Sequence, residues 1–145
     1  MSLESPLKPT ALVNFVRIDK ELARITANFW KLIWNNDKAV IEQKNMYLLS
    51  LSNAVGARRF RQATRELVKA YASGVTIEEL DELFSLFVWN EGVGTFASEI
   101  GPSPLFGAYS LIKEGLQSGK ARKEILKELI RQFGEDNPRV GTSYK

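Results

Sequence analysis

A chain of 145 residues, 44% apolar and 26% charged, has the size and balance of one soluble globular domain that can bury a core without a metal or disulfide staple. It contains no cysteine and no histidine, which excludes thiol nucleophiles, disulfides, iron–sulfur clusters, imidazole-held zinc or haem, and every triad with a histidine base. A net charge of +3 is well short of the concentrated basicity of a nucleic-acid-binding domain. Acid–base chemistry near neutral pH is left to a perturbed Glu, Asp or Lys, and neither a metal nor another cofactor is expected. The opening MSLESPLKPTALVNF has no basic leader ahead of an apolar core, and no uncharged apolar run approaches the roughly 20 residues that span a bilayer. A cytoplasmic location without membrane contact is the resulting expectation.

In chain order, Pro6 and Pro9 keep the start extended and Thr10 can cap a helix. Leu12, Phe15, Val16, Leu22, Ile25, Phe29, Leu32 and Ile33 recur at helical spacings, predicting one long amphipathic helix that ends near Asn35-Asn36-Asp37. Asp37 is a second candidate cap for a helix over Ala39 to Val55, whose apolar residues fall on more than one side and place it near the centre. Gly56 interrupts the pattern. Ala57 to Ser73 resumes it with Phe60, Ala63, Leu67 and Tyr71 on one stripe, closed by Gly74 as a left-handed terminus. Thr76 and Glu79 form a capping box for a helix through about Asn90. After the break at Gly101-Pro102-Ser103-Pro104, a helix is expected from Pro104 to about Lys113, then one over Lys120 to Phe133, then a frayed tail GEDNPRVGTSYK from about 135. No strand alternation or internal repeat persists, so the expected class is all-α: a single-domain bundle of about six helices.

The order of central helix, Gly56, short helix, Gly74-Val75-Thr76 and acidic capped helix, anchored by KAYASGVTIEELDEL, resembles the alkylhydroperoxidase-D-like, or carboxymuconolactone decarboxylase, family over about Lys44 to Gly115. Redox-active members of that family begin the short helix with Cys-x-x-Cys and carry a His four residues after the second Cys. The same offsets from Gly74 fall here on Arg59, Gln62 and Glu66. None of these can act as thiolate attacker or leaving group, so the family's peroxidase chemistry is not carried over. The resemblance also implies a homo-oligomer, from dimer to hexamer.

At about 100° per residue, Arg59, Gln62 and Glu66 share one stripe between the apolar face of Phe60, Leu67 and Tyr71 and an expected wet face of Arg58, Arg65 and Lys69. The stripe is either a hydrogen-bonded boundary cluster or a pocket in which Arg59 and Gln62 hold a small, anionic ligand and Glu66 serves as base or acceptor. In FVWNEGVGTF, Trp89, Asn90 and Glu91 beside two glycines form either a second pocket wall or the end of a helix with core or interface aromatics. Two functions follow: a protein that binds a small molecule through Arg59, Gln62, Trp89 and Asn90, or a decarboxylase or lactone-processing enzyme with Glu66 or Glu91 as general base and Arg59 as clamp. Nucleic-acid binding through Arg58, Arg61, Arg65 and Lys69 is a lesser alternative, opposed by Glu78, Glu79, Asp81 and Glu82 nearby. Phe29, Trp30 and Trp34 make the end of the first helix apolar on several sides, to be covered by the core or by a second subunit.

Overall fold

The computed structural model describes residues 6–7 and 11–144; Pro9 and the proposed cap Thr10 lie outside them. The long first helix is in fact two, α1 (Ala11–Ile18) and α2 (Lys20–Trp34). Asp19 causes the break: its backbone is extended (φ −164°), and its side chain accepts the Leu22 N–H at 2.8 Å, capping α2. Asp37 does not cap the next helix. Residues 35–42 are a loop, and α3 (Gln43–Gly56) begins after Glu42, with no side-chain bond at its cap.

Gly56 does not interrupt α3 but ends it as a helical residue, and Arg58 takes the turn instead. Arg58 is left-handed (φ 57°), its N–H bonding the Val55 carbonyl at 2.9 Å while the Arg59 N–H bonds that of Ala54 at 2.8 Å. This paired closure is the one that normally recruits glycine. α4 (Phe60–Ala72) ends in the same motif with the expected residue: Gly74 has φ 102°, and the Gly74 and Val75 N–H groups bond the Tyr71 and Ala70 carbonyls. The capping box at Thr76 and Glu79 is present and starts α5 (Ile77–Glu91). Beyond Gly92 a single turn, α6 (Val93–Thr95), widens into a π-turn over Phe96–Ile100. Pro104 occupies the first turn of α7 (Pro104–Gln117), which outlasts its expected end, and α8 (Arg122–Phe133) completes the set. Among the described residues there is no strand, and the class is all-α.

α4 is the axis of the molecule, packed against α3, α7 and α8. α3 and α5 run side by side in one direction, since Lys44 meets Glu79 at 3.0 Å near their starts while Glu91 lies beside Gly56 at their ends. α7 and α8 approach closely because Gly115 has no side chain: a Cβ there would stand 2.8 Å from Ile125. Phe84, Phe96, Phe106 and Tyr109 fill the contact of α5, the π-turn and α7 with stacked and edge-on rings. The C-terminal segment, expected to fray, is tied down. Val140 is fully buried, Arg61 donates to the Pro138 and Gly141 carbonyls, and Asn14 of α1 bonds the Thr142 carbonyl at 2.6 Å and the Tyr144 N–H at 3.0 Å.

Because an L-residue in the left-handed region is strained where glycine is not, Arg58→Gly is expected to raise stability by about 1 kcal/mol, or Tm by about 3 °C. Thermal unfolding checks this, and a lower Tm would mean that the Arg58 side chain contributes more than its backbone costs.

Candidate functional site

Six consecutive residues of α4, Ala63 to Val68, are buried, and six residues cover the whole circumference of a helix. Arg65 and Glu66 are therefore inside the protein, and their charges must be met there. The Arg65 guanidinium pairs with the Glu135 carboxylate and reaches the Val140 carbonyl at 3.3 Å, and Glu135 uses its other oxygen to accept the Thr142 N–H at 3.1 Å. One buried cation thus fixes the C-terminal segment.

Glu66 is met less completely. Its Oε1 lies 3.6 Å from the Lys69 Nζ, one turn on, while its Oε2 is buried with no hydrogen-bond partner. Burial pushes the Glu66 carboxyl above its usual range, against the opposing pull of Lys69, Arg65 and Ser50. The same burial pushes the Lys69 ammonium down, with Glu66 pulling it back. A carboxyl and an amine held close inside a helical core, each biased toward its neutral form, can exchange a proton or present donors and acceptors to a third group.

Tyr47 of α3 is buried beside Trp34. Its ring stacks on Trp34 at 4.8 Å between centroids, and its hydroxyl is pushed up by burial and then by the Glu66 charge, with Gln43 pulling it back. Trp34 and Gln43, with Met46 and the 35–41 loop, line an open cleft of about 790 Å³, within the range of small-molecule sites, ~300–1,000 Å³. Trp34, Gln43, Tyr47 and Ser50 are not among the residues expected at a site, and Lys69 is expected only on the wet face as a phosphate contact. No sequence signal joins them, because they come from three helices and meet only on packing.

The expected stripe does not hold together. Glu66 is buried, but Arg59 is exposed at the N-cap of α4 and Gln62 is exposed in its first turn, so the three do not share an enclosure. The expected wet face is likewise corrected. Arg58 is exposed, whereas Arg65 is buried under the C-terminal segment and the Lys69 side chain is only 16% exposed. With Arg61 and Arg65 also engaged by that segment, the helix offers phosphates little free charge. Glu91 is half-buried at the end of α5, 3.8 Å from where a Cβ on Gly56 would stand, while Trp89 is 84% exposed and Asn90 is exposed. The segment from 89 to 91 is a helix end and not a pocket wall beside Glu66.

Two other polar clusters tie elements together, although the buried Tyr71 hydroxyl in the second is, like Glu66 Oε2, without a hydrogen-bond partner. Tyr109 donates to Asp81, and Lys113 bonds the same carboxylate at 3.0 Å, tying α7 to α5. Arg122 stacks on the Tyr71 ring at 4.1 Å and caps the Tyr71 and Val75 carbonyls at the end of α4. Among the described residues no group of three or more carboxylates is placed to hold a metal ion, and no helix is long and apolar enough to cross a membrane.

Compared with known protein families, with curated proteins and with solved structures, the chain has no match.

The raised Glu66 carboxyl has a signed consequence. Folding favours its protonated form, so that contribution to stability is complete below the unfolded-state value near 4.5 and is lost as pH climbs through the higher folded-state value. Glu66→Gln cannot ionise. Its stability relative to the unaltered chain is therefore expected to increase with pH above about 4.5 and then level off, as urea unfolding at a series of pH values would show; a difference independent of pH would contradict the assignment.

Proposed function

We propose that the protein is a cysteine-free, non-peroxidase relative of the alkylhydroperoxidase-D-like family that binds a small molecule, with Glu66 as the polar anchor of its site. The run from α3 through the Gly74 turn and the Thr76 capping box into α5 supports the family reading. The binding reading rests on the buried Glu66 carboxyl with one unpartnered oxygen. Native cores rarely leave such an oxygen unused, and a carboxyl biased toward protonation can both donate to and accept from a ligand. Lys69 beside it favours an anionic or hydrogen-bonding group, and the Trp34–Tyr47 stack supplies a flat apolar wall. A ligand in the cleft meets Trp34 and Gln43 directly, and Glu66 acts on the site through its charge, which is felt at the Tyr47 hydroxyl.

A decarboxylase or lactone-processing enzyme is the second reading, because a general base needs the same raised carboxyl. In that case Lys69, not the exposed Arg59, is the cation placed to steady developing negative charge.

The test is thermal unfolding in the presence of a panel of small carboxylic acids, lactones and phenols. At least one class is expected to raise Tm saturably, and Glu66→Gln and Tyr47→Phe are each expected to weaken it by about tenfold, near 1.4 kcal/mol. Ligands whose affinity neither variant changes would remove this site from the function. Turnover abolished by Glu66→Gln with binding intact would favour the enzyme.

A further inference from the structure

α2 has three faces. Ala23, Ala27, Trp30 and Trp34 form the inward one, of which Ala23 is buried and the others half-buried, with Trp34 seated on Tyr47. Lys20, Arg24, Asn28 and Lys31 form a polar one. The third is apolar and uncovered: Leu22, Ile25, Phe29, Leu32 and Ile33 are each between 41% and 65% exposed, and at helical geometry they fall within an arc of about 100°. Such a stripe offers roughly 500 Å² of apolar surface, toward the upper end of the largest patch on an ordinary monomer.

The order of these residues says what fits them. Leu22, Ile25, Phe29 and Leu32 are spaced three, four and three apart, the seam of a helix that packs knobs into holes against one other helix. That spacing reads the same in both directions. An antiparallel α2 from a second copy therefore sets Leu22 against Leu32 and Ile25 against Phe29, and the twofold partner contacts repeat them, which is the self-complementarity an isologous interface requires. Two such stripes bury about 1,000 Å² in all, the threshold for a specific interface. A lipid surface fits less well. Helices that lie on anionic membranes carry cations beside their apolar face, whereas Arg24 and Lys31 point about 120° or more from the centre of this one and Glu21 flanks it.

We infer that α2 is a dimerisation helix: its Leu22–Ile25–Phe29–Leu32 seam pairs antiparallel with α2 of a second copy of this chain. The inference rests on the geometry of α2 and not on the ligand reading, so either can fail alone. Sedimentation of the full chain is expected to show a dimer that Phe29→Glu weakens by roughly 100-fold or more, with the far-ultraviolet helical signal retained. The direction of pairing is read separately. With no native cysteine, a Leu22→Cys, Leu32→Cys variant has only the engineered thiols, and oxidation is expected to link position 22 of one copy to 32 of the other. A monomer at every concentration, a dimer indifferent to Phe29→Glu, or cross-links joining 22 to 22 would overturn the proposal. So would a monomer that co-sediments with phosphatidylglycerol vesicles through Phe29, which would make the stripe a lipid contact.

Discussion

Two oppositely charged neighbours buried in the middle of α4 are the constraint around which the rest of the molecule is arranged. An unpaired charge in a protein core is expensive enough that it must be met from within the chain or lose its ionisation. Arg65 takes the first course. Glu135 and the Val140 carbonyl come to it from the C-terminal segment, and that segment in turn holds α1 through Asn14. A stretch rich in turn residues, with few apolar side chains of its own, is thereby fixed across the surface by a cation it does not carry.

Glu66 takes the second course. Lys69 is close but loosely placed, and desolvation outweighs it, so the carboxyl is shifted toward the neutral acid. Where a fold leaves a buried polar atom without a partner, the defect is either removed by selection or retained for use. The contrast with Asp81, Tyr109 and Lys113 is instructive, because that trio is mutually satisfied, partly solvated and explained by the α5–α7 contact it makes. Among the described residues the Tyr71 hydroxyl is likewise buried and unmet, but of the two Glu66 is the carboxyl, and its charge is felt at Tyr47 beside the cleft-lining Trp34.

Much of the fold was legible because it is written in local chemistry. The capping box at Thr76 and Glu79, the left-handed Gly74 and the Gly-Pro-Ser-Pro break act within four residues of themselves, and each lies where the sequence puts it. The misreadings share the opposite cause. Asp19 sits inside an uninterrupted apolar rhythm, so the rhythm hid its capping bond. At Arg58 the chain uses an arginine where left-handed geometry favours glycine, and Gly56 two residues earlier drew the boundary to itself. The site was half legible. Glu66's place against the core was legible from the helix, but Arg65 read as solvent-facing because its cover, Glu135 and Val140, arrives from about 70 positions away, which no helical wheel contains.

α2 belongs to the same logic at the next level of organisation. Its inward face is satisfied by the chain's own core, its outward apolar stripe is not, and an exposed apolar patch of that size normally marks a contact surface. The charge constraint at α4 and the apolar constraint at α2 are independent, and the first is the more fundamental because it shapes the monomer. The most direct measurement of it is a carbon-detected NMR titration of the glutamate side chains, with Glu66→Gln to assign the resonance. A Glu66 midpoint clearly above 4.5 is the expected result; one at or below it would mean that Lys69 and Arg65 outweigh burial, leaving an ordinary internal ion pair and no poised acid.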